Sequence, residues 1–399
     1  MNKIKYLVCI LVIACLVDYT FSSEVRTKLI DGIVWHYTLE NREITIGSQT
    51  GTFAAIENNS QGRVEIPVSI EDCQVKTIGS EAFYGQESLS SVNIPTGVQN
   101  ICSHAFADCT NLTFTSIPNT LTNIGASAFS GCSSLTNFLV PEGLQKLNKS
   151  TFSSCRNLQT ITLPSSLKEV GETAFLNCTS LKSLTLSEQL EIIRRSAFVN
   201  CKSLESLIIP NLVTNIESAA FAGCSTLKSI NVPSRIEALG RENCVGVFRA
   251  CTSLSSITFN EGLKNLPGEI CNLCFKLKEI VLPDSITNIG SRAFVNGSLE
   301  KIVIGRGVQT IGTAAFANNG KLTSVEFRGD APQFGQYVFS GLVLGGILGS
   351  GAPTNCAFRI HRGTTGWNII EPSSTNESPR IQFDGRFFPV EYVDDVSEE

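Results

Sequence analysis

The chain has 399 residues, of which 42% are hydrophobic and 17% charged, with 31 basic residues against 36 acidic ones. This hydrophobic content is that of a folded protein and excludes general disorder. The mild acidity and the lack of any basic block argue against a nucleic-acid partner, because phosphate contacts need clustered Lys and Arg.

Residues 1–22 have the pattern of a secretory signal peptide. Two lysines precede an apolar run at 6–17, and small residues follow, so cleavage is expected near Ser22. The run is shorter than the roughly 20 residues that a membrane span needs. The stretch "VIAC" also resembles the bacterial lipobox, which would place a lipid anchor on Cys15 instead. We therefore expect a secreted or cell-surface protein whose mature chain has no integral span.

A 23-residue repeat dominates the rest of the chain. Phenylalanines recur every 23 residues from Phe83 to Phe221, and the next follows after 27 residues at Phe248. Cys271 takes the next anchor position, and the series then resumes at Phe294, Phe316 and Phe339. Such a period is typical of a solenoid, in which each coil buries its apolar residues only against its neighbours.

Each repeat predicts one short strand and one turn. Six to eleven residues after the phenylalanine, as in "LKSLTL", the last four positions alternate between apolar and polar residues, the pattern of a half-buried strand. A proline follows in seven repeats and ends the strand, because proline cannot donate to a ladder. The return through "IGxxAF" is too short for a full helix and is expected to be a turn with about one helical or 3₁₀ turn. We expect one sheet face and one turn-rich face.

These residues resemble a known family. The pattern "LxxIxLPxxLxxIGxxAFxxCxxL" is similar to the Treponema-type, BspA-like leucine-rich repeat, and the similarity covers about eleven copies over residues 68–330. "VWHYTLENREITI", within 23–67, is similar to the β-type cap that opens such arrays. The closing segment of such arrays is similar to "FRGDAPQFG", which overlaps the start of 331–399, and to "GTTGW" and "GRFFPVEY", which lie within it.

The resemblance implies a leucine-rich repeat solenoid with a parallel sheet on its concave face and β-type caps at both ends. It also implies a non-enzymatic surface or secreted protein that binds other molecules on that face, with no cofactor. The partner would be an extracellular protein or glycan.

The outward strand positions, eight and ten residues after each anchor, are the candidate binding site. They are nearly uncharged and rich in Ser, Thr and Asn, with isolated apolar side chains, which suits a protein or glycan partner better than a charged polymer. The alternative is that Ser and Thr are simply favourable in solvent-facing strand positions. The candidate contact residues are Asn93, Phe114, Leu139, Thr160, Thr162, Ser206, Ile208, Asn231 and Val281.

A cysteine recurs three residues after the anchor in eight repeats. Disulfides between coils would need Cβ atoms about 3.5–4.5 Å apart, whereas parallel Cα–Cβ vectors keep them about 5 Å apart. Zinc needs four converging ligands, and a ladder spreads them along a line, so no metal site is expected. We therefore predict a packing role as a small buried hydrophobe. The pairing of Cys73, Cys102, Cys244, Cys271 and Cys356 stays open.

The sequence lacks the HExxH, GxSxG, P-loop and GxGxxG motifs. A polysaccharide-active parallel β-helix enzyme would need clustered carboxylates on a strand face, and no two neighbouring acids face outward there before Glu326. We therefore expect a protein that is not an enzyme. That enzyme class and a purely structural surface spacer are the alternatives.

Arg328, Gly329 and Asp330 form the tripeptide "RGD", which resembles the integrin-binding motif. It follows a predicted strand, where a turn is needed in any case. The turn is the leading interpretation, and integrin contact is a subsidiary hypothesis.

Overall fold

The computed structural model describes residues 24–56, 62–240, 244–341, 343–344, 347–348, 351–372 and 377–394, with the backbone alone at 114–116, 343–344 and 347–348. The predicted signal peptide and the lipid-anchor candidate Cys15 lie outside the described residues. None of the described residues lies in a helix.

The strands fall into three regions along the chain. The N-terminal region contains β1 (Arg26–Ile30), β2 (Ile33–Glu40), β3 (Glu43–Ile46), β4 (Arg63–Glu65), β5 (Ser69–Ile70) and β6 (Cys73–Ile78). The repeats contain β7 (Ser91–Asn93), β8 (Asn100–Ile101), β9 (Phe114–Ser116), β10 (Asn123–Ile124), β11 (Asn137–Leu139), β12 (Lys146–Leu147), β13 (Thr160–Thr162), β14 (Glu169–Val170), β15 (Ile192–Ile193), β16 (Asn215–Ile216), β17 (Ser229–Val232), β18 (Ala238–Leu239), β19 (Ser256–Phe259), β20 (Asn265–Leu266), β21 (Glu279–Val281), β22 (Asn288–Ile289), β23 (Lys301–Ile304), β24 (Thr310–Ile311), β25 (Ser324–Phe327) and β26 (Gln333–Phe334). The closing region contains β27 (Val343–Leu344), β28 (Ile347–Leu348), β29 (Ala357–His361), β30 (Ile369–Ile370), β31 (Arg380–Phe383) and β32 (Arg386–Val393).

Two sets of parallel strands run along the stack. The predicted repeat strands, joined by β4, β29 and β32 from the flanking regions, pair as β4-β7-β9, β11-β13, β17-β19 and β21-β23-β25-β29-β32, and we call their outer surface the strand face. A second set, which the sequence pattern did not predict, pairs as β6-β8-β10, β12-β14-β15-β16-β18 and β20-β22-β24-β26. We call it the second sheet. Most of its strands have only two residues, so no alternation of apolar and polar residues is visible in the sequence.

The turn around each phenylalanine is not a 3₁₀ helix, which corrects that part of the prediction. Residues two positions before and after the anchor have positive φ, for example Ser196 at 57° and Asn200 at 59°. These left-handed residues interrupt any helical run. The turn instead donates three backbone hydrogen bonds to the next coil, including Phe198 N to Ala220 O at 2.8 Å. The turns of successive coils are therefore joined by their own ladder of backbone hydrogen bonds.

The phenylalanines form a column through the core. Successive rings stack with centroids 5.0–5.8 Å apart and planes within 11° from Phe83 to Phe248, and again from Phe294 to Phe339. The buried Cys271 occupies the anchor position between the two stacks. Stacked aromatic rings bury a large apolar area at every coil, so the column is a main part of the core.

The recurrent cysteines are buried, and all thirteen cysteines of the described residues are free thiols. Each thiol of the repeat donates to the phenylalanine carbonyl of the preceding coil, over 3.0–3.3 Å. Burial raises the pKa of Cys109, Cys178 and Cys224 to about 12, so the donating proton stays in place.

Asn319 keeps a side-chain donor at the cysteine position of its coil. It stands where other coils have the cysteine, and its Nδ2 donates to the carbonyls of Phe294 and Phe316, both at 2.9 Å. The predicted packing role therefore holds, with a hydrogen bond added to it.

Charged side chains beside the second sheet alternate in sign from coil to coil, in the order Lys146 and Lys149, Glu169 and Glu172, Arg194 and Arg195, and Glu217. Arg194 joins three coils, because its Nε lies 2.9 Å from Glu169 Oε1 and its Nη1 3.0 Å from Glu217 Oε1. Lys146 Nζ lies 2.8 Å from the same Glu169 oxygen. These pairs hold the middle coils together on this side.

The closing region continues the stack past residue 330. β26 extends the second sheet, and β29 pairs in parallel with β25. The hairpin strands β30, β31 and β32 then pair antiparallel. Phe358 and Phe383 pack on Phe339 at 5.1 Å and 5.3 Å and cover the end of the phenylalanine column. At the other end, Trp35 packs edge-on against Phe83.

We predict that Cys201→Ala lowers the free energy of unfolding by about 2 kcal/mol, because it leaves a small void and removes the thiol donor from the Phe175 carbonyl, which then keeps only the backbone hydrogen bond from Cys178 N. Cys201→Ser retains a donor and should cost less. Urea denaturation measures both. An equal or greater loss for the serine variant would contradict a role for the hydrogen bond.

A second prediction concerns pH. Burial alone would raise the pKa of Glu169, but hydrogen bonds from Arg194 and Lys146 outweigh it and lower that pKa below its usual range. The resulting stability is present above the ordinary carboxyl pKa and is lost as the pH falls through the lowered one. Arg194→Met should therefore cost about 1 kcal/mol at neutral pH, and the difference from the wild type should shrink below about pH 4.

Lys168→Met is the matched control for Arg194→Met. Its partner Glu191 lies 3.7 Å away, and both side chains are half exposed, so the pair should contribute little. Parallel stability–pH curves for wild type and Arg194→Met would contradict the role assigned to Arg194.

Candidate functional site

Most outward residues of the strand face are exposed to solvent, while a few, such as Asn231, are half-buried. In β13, Thr160 and Thr162 are exposed on either side of the buried Ile161. The apolar candidates are the most open, since Leu139 is 63% exposed, Ile208 78% and Val281 55%. The alternation in the sequence therefore points these side chains away from the core.

The strand register aligns the outward residues in two columns that run along the stack. Leu139 lies beside Thr162, and Asn231 beside Thr258. Ser206 forms a single bridge with Ser229 of the next coil. Phe114 belongs to β9, but its side chain lies outside the described part of the chain.

Two of the candidates also have structural contacts that the sequence pattern does not reveal. Asn93 Nδ2 donates to Glu65 Oε2 over 2.7 Å. Asn231 binds the backbone of the preceding coil: its Nδ2 donates to Ile209 O at 3.2 Å, and its Oδ1 accepts from Ile209 N at 3.3 Å. The two hydrogen bonds of the Asn231 side-chain amide therefore replace a pair of backbone hydrogen bonds between neighbouring strands.

The strand face is least regular in its middle. Between β13 and β17 its parallel pairing is reduced to two single bridges, Thr160 to Ser183 and Ser206 to Ser229. The adjoining groove has a volume of about 690 Å³, and it is lined by Thr160, Thr162, Ser183 and Thr185, with the carboxylates of Glu142 and Glu188 at its edge. The exposed Ile208 lies in the next coil. A partner would find both hydroxyls and an apolar side chain here.

The strand face becomes charged from Glu279 onward. Glu326 is surrounded by Arg328 at 3.3 Å, Arg359 at 3.2 Å and His361 at 3.4 Å. The two last residues come from the closing region, about 35 positions away, so the sequence pattern did not predict this cluster. Glu326 is ion-paired and has no neighbouring carboxylate in its column, because Val303 and Arg359 flank it.

The three residues of the RGD tripeptide each have a contact within the fold. Asp330 Oδ1 accepts from the backbone N of Thr365 at 2.6 Å and from its hydroxyl at 3.1 Å. A Cβ at Gly329 would lie 2.4 Å from the Arg306 carbonyl oxygen, so only glycine fits. Arg328 pairs with Glu326. These contacts explain the tripeptide without a partner.

In the part of the chain that the structure describes, no group of three or more His, Cys, Asp or Glu side chains is arranged to hold a metal ion. The same residues include no helix long and apolar enough to cross a membrane.

The comparisons with known proteins agree with this architecture. The model of the family described as "BspA type Leucine rich repeat region (6 copies)" matches residues 57–172, 145–245 and 244–344. A solved leucine-rich repeat protein from Bacteroides ovatus is 23% identical with a TM-score of 0.57, over 84% of this chain and 94% of that one. The pneumococcal vaccine antigen PcpA is 20% identical with a TM-score of 0.50, over 85% of this chain and 94% of its own.

At these identities the two structures show a shared fold and nothing more. A search of curated proteins gives no match. The family model covers well over half of the chain. The chain therefore belongs to the BspA-type leucine-rich repeat family.

Proposed function

We propose that this protein is a secreted or cell-surface binding protein that works in adhesion, with its strand face as the contact surface and no catalytic step. The partner is an extracellular protein or glycan. The signal-peptide pattern at 1–22 supports export, and the family resemblance favours adhesion.

One observation carries the proposal. The sixteen outward positions of the eight coils from Ser91 to Thr258 include no charged residue, although 17% of the chain is charged. Solvent-exposed surfaces are normally rich in Lys, Glu, Arg and Asp. Depletion of charge is a mark of the central part of an interface. The exposed side chains of Leu139 and Ile208 add apolar contact points to this surface.

The alternatives make different demands on the structure. A polysaccharide-active enzyme needs an acid and a base or nucleophile at a set separation, and Glu326 is bound by two arginines and a histidine instead. A purely structural spacer would have no need of a charge-free face. The observed surface therefore favours binding.

We predict that Ile208→Asp weakens partner binding at least tenfold, because it introduces a charge at the centre of an uncharged contact surface. The side chain is 78% exposed, so stability should change by less than about 0.5 kcal/mol. Binding is measured on an array of immobilised extracellular proteins and glycans, beside a screen for hydrolysis.

Asn265→Asp is the matched control, since it adds the same charge at an exposed position of the second sheet. Equal binding by Ile208→Asp and the wild type would contradict the proposal and favour the spacer. Product release that Glu326→Gln abolishes would favour the enzyme.

For the RGD tripeptide we predict a structural effect only. Asp330→Asn should speed hydrogen exchange at the Thr365 amide several-fold, because a charge-assisted hydrogen bond is weakened. Adhesion of integrin-bearing cells should stay unchanged. Loss of that adhesion with unaltered exchange would instead support integrin contact.

A further inference from the structure

We infer that the partner of the strand face is an uncharged linear polysaccharide that lies along the stack axis, across the strands. This inference rests on the proposed binding function and specifies the ligand. We call the outward positions from Ser91 to Thr258 the neutral strip.

Charge decides against a polyanion or a basic peptide. The neutral strip offers hydroxyl and amide groups, with neither a cation to bind sulfate or carboxylate nor an anion to bind Lys or Arg. An uncharged sugar needs neither, because its hydroxyls donate and accept hydrogen bonds. A ligand of this kind also avoids the desolvation cost of burying a charge.

The charged edges set the direction of the ligand. On one side of the strip lie the exposed residues Lys182, Glu205 and Lys228, with Lys228 Nζ 2.7 Å from Glu205 Oε2. On the other side lie the exposed carboxylates Glu142, Glu188 and Glu261. At the far end, Glu279 and Lys301 form an ion pair at 3.4 Å. Only the axial direction offers a continuous uncharged path.

The repeat of the surface favours a repeating ligand. Parallel register places chemically similar residues one coil apart, about 4.8 Å, so eight coils span about 34 Å. A sugar ring is about as long as this step, so an extended polysaccharide can present similar groups to successive coils. A globular protein surface does not repeat in this way. A polymer whose own repeat has about this length is therefore the ligand that best matches the periodicity of the surface.

The exposed apolar residues fit the same ligand. Leu139 and Ile208 stand in the same column three coils apart, and Val281 follows after three more. Sugar rings have C–H faces that pack on aliphatic side chains, while the intervening Thr162 and Thr185 supply hydroxyls between these points. The groove of about 690 Å³ beside Thr160 and Ser183 gives the chain a recess in the middle of its path, and this recess extends to the edge that carries Glu142 and Glu188.

The test is affinity electrophoresis and calorimetry of the signal-free mature chain. The probes are soluble β-1,4-glucan, starch and mannan, with alginate and heparin as anionic comparisons, and neutral oligosaccharides of two to ten sugars. We expect binding to at least one neutral polysaccharide and to neither anionic one. Affinity should change less than twofold between 50 mM and 500 mM salt, because no ion pairs form. It should rise with oligosaccharide length toward about seven or eight sugars, as more coils are engaged.

Ile208→Asp and Thr162→Asp should each weaken polysaccharide binding at least tenfold, while Asn265→Asp leaves it unchanged. Binding only to heparin or alginate, with strong salt dependence, would overturn the inference. So would neutral binding that the strip variants do not alter.

The failure of this inference can be told apart from that of the proposed function. If the protein binds only a protein partner, and Ile208→Asp removes that binding, the polysaccharide is wrong but the strand face remains the binding site. If neither variant changes any interaction, both are wrong.

Discussion

The contact between one coil and the next is the constraint on which the whole structure depends. A single coil cannot bury its own apolar residues, so every stabilising interaction has to be repeated at each step along the axis. The phenylalanine stack supplies the apolar part. The thiol-to-carbonyl hydrogen bond supplies the polar part, since it gives the buried phenylalanine carbonyl a second donor, from another coil, beside the backbone N–H three residues later in its own coil, as at Phe175. Cysteine fits because it is small and apolar and still carries a weak donor.

This requirement explains which substitutions the repeat accepts. Asn319 can stand in for cysteine because its amide reaches the same carbonyl. Asn319 makes a further contact, because its Oδ1 accepts a hydrogen bond from Leu299 N at 3.0 Å. This contact lies where the coil of Phe294 has one residue fewer than the other coils. A Cβ at Gly297 would lie 2.6 Å from that oxygen, so the glycine and the asparagine form a matched pair. Cys271, by contrast, replaces a phenylalanine and interrupts the stack while keeping the backbone bond to Ala293.

The sequence predicts the features that recur in phase with the 23-residue period. The strand positions, the buried leucines and the solvent-facing residues are all read from alternation and offset. The second sheet was missed because strands such as Asn215–Ile216 are too short to alternate. The left-handed residues beside each anchor were missed as well. Many of them are Ser, Thr or Ala rather than Gly, as at Thr173 and Ala219, so the residue type gives no signal.

The candidate site was predictable only in part, for a related reason. Which side chains face outward follows from local pattern, but which are already engaged depends on residues from other coils. Asn231 contacts a backbone 22 positions away, and Glu326 meets Arg359 and His361 from the closing region. Such contacts do not recur from one repeat to the next, so the sequence of a single repeat does not reveal them.

The contacts that stabilise the solenoid and the proposed binding surface therefore lie on different sides of it. The turns, the second sheet and the alternating charges hold neighbouring coils together even where the strand-face pairing between Thr162 and Ser229 is reduced to single bridges. Neighbouring coils are held together by these other contacts, so the fold does not depend on most outward side chains of the strand face. Their residue types are therefore free to suit a ligand. Asn231 is an informative exception, since its side chain restores one missing pair where the strands part. The proposed binding surface is thus the one whose side chains contribute least to holding the coils together.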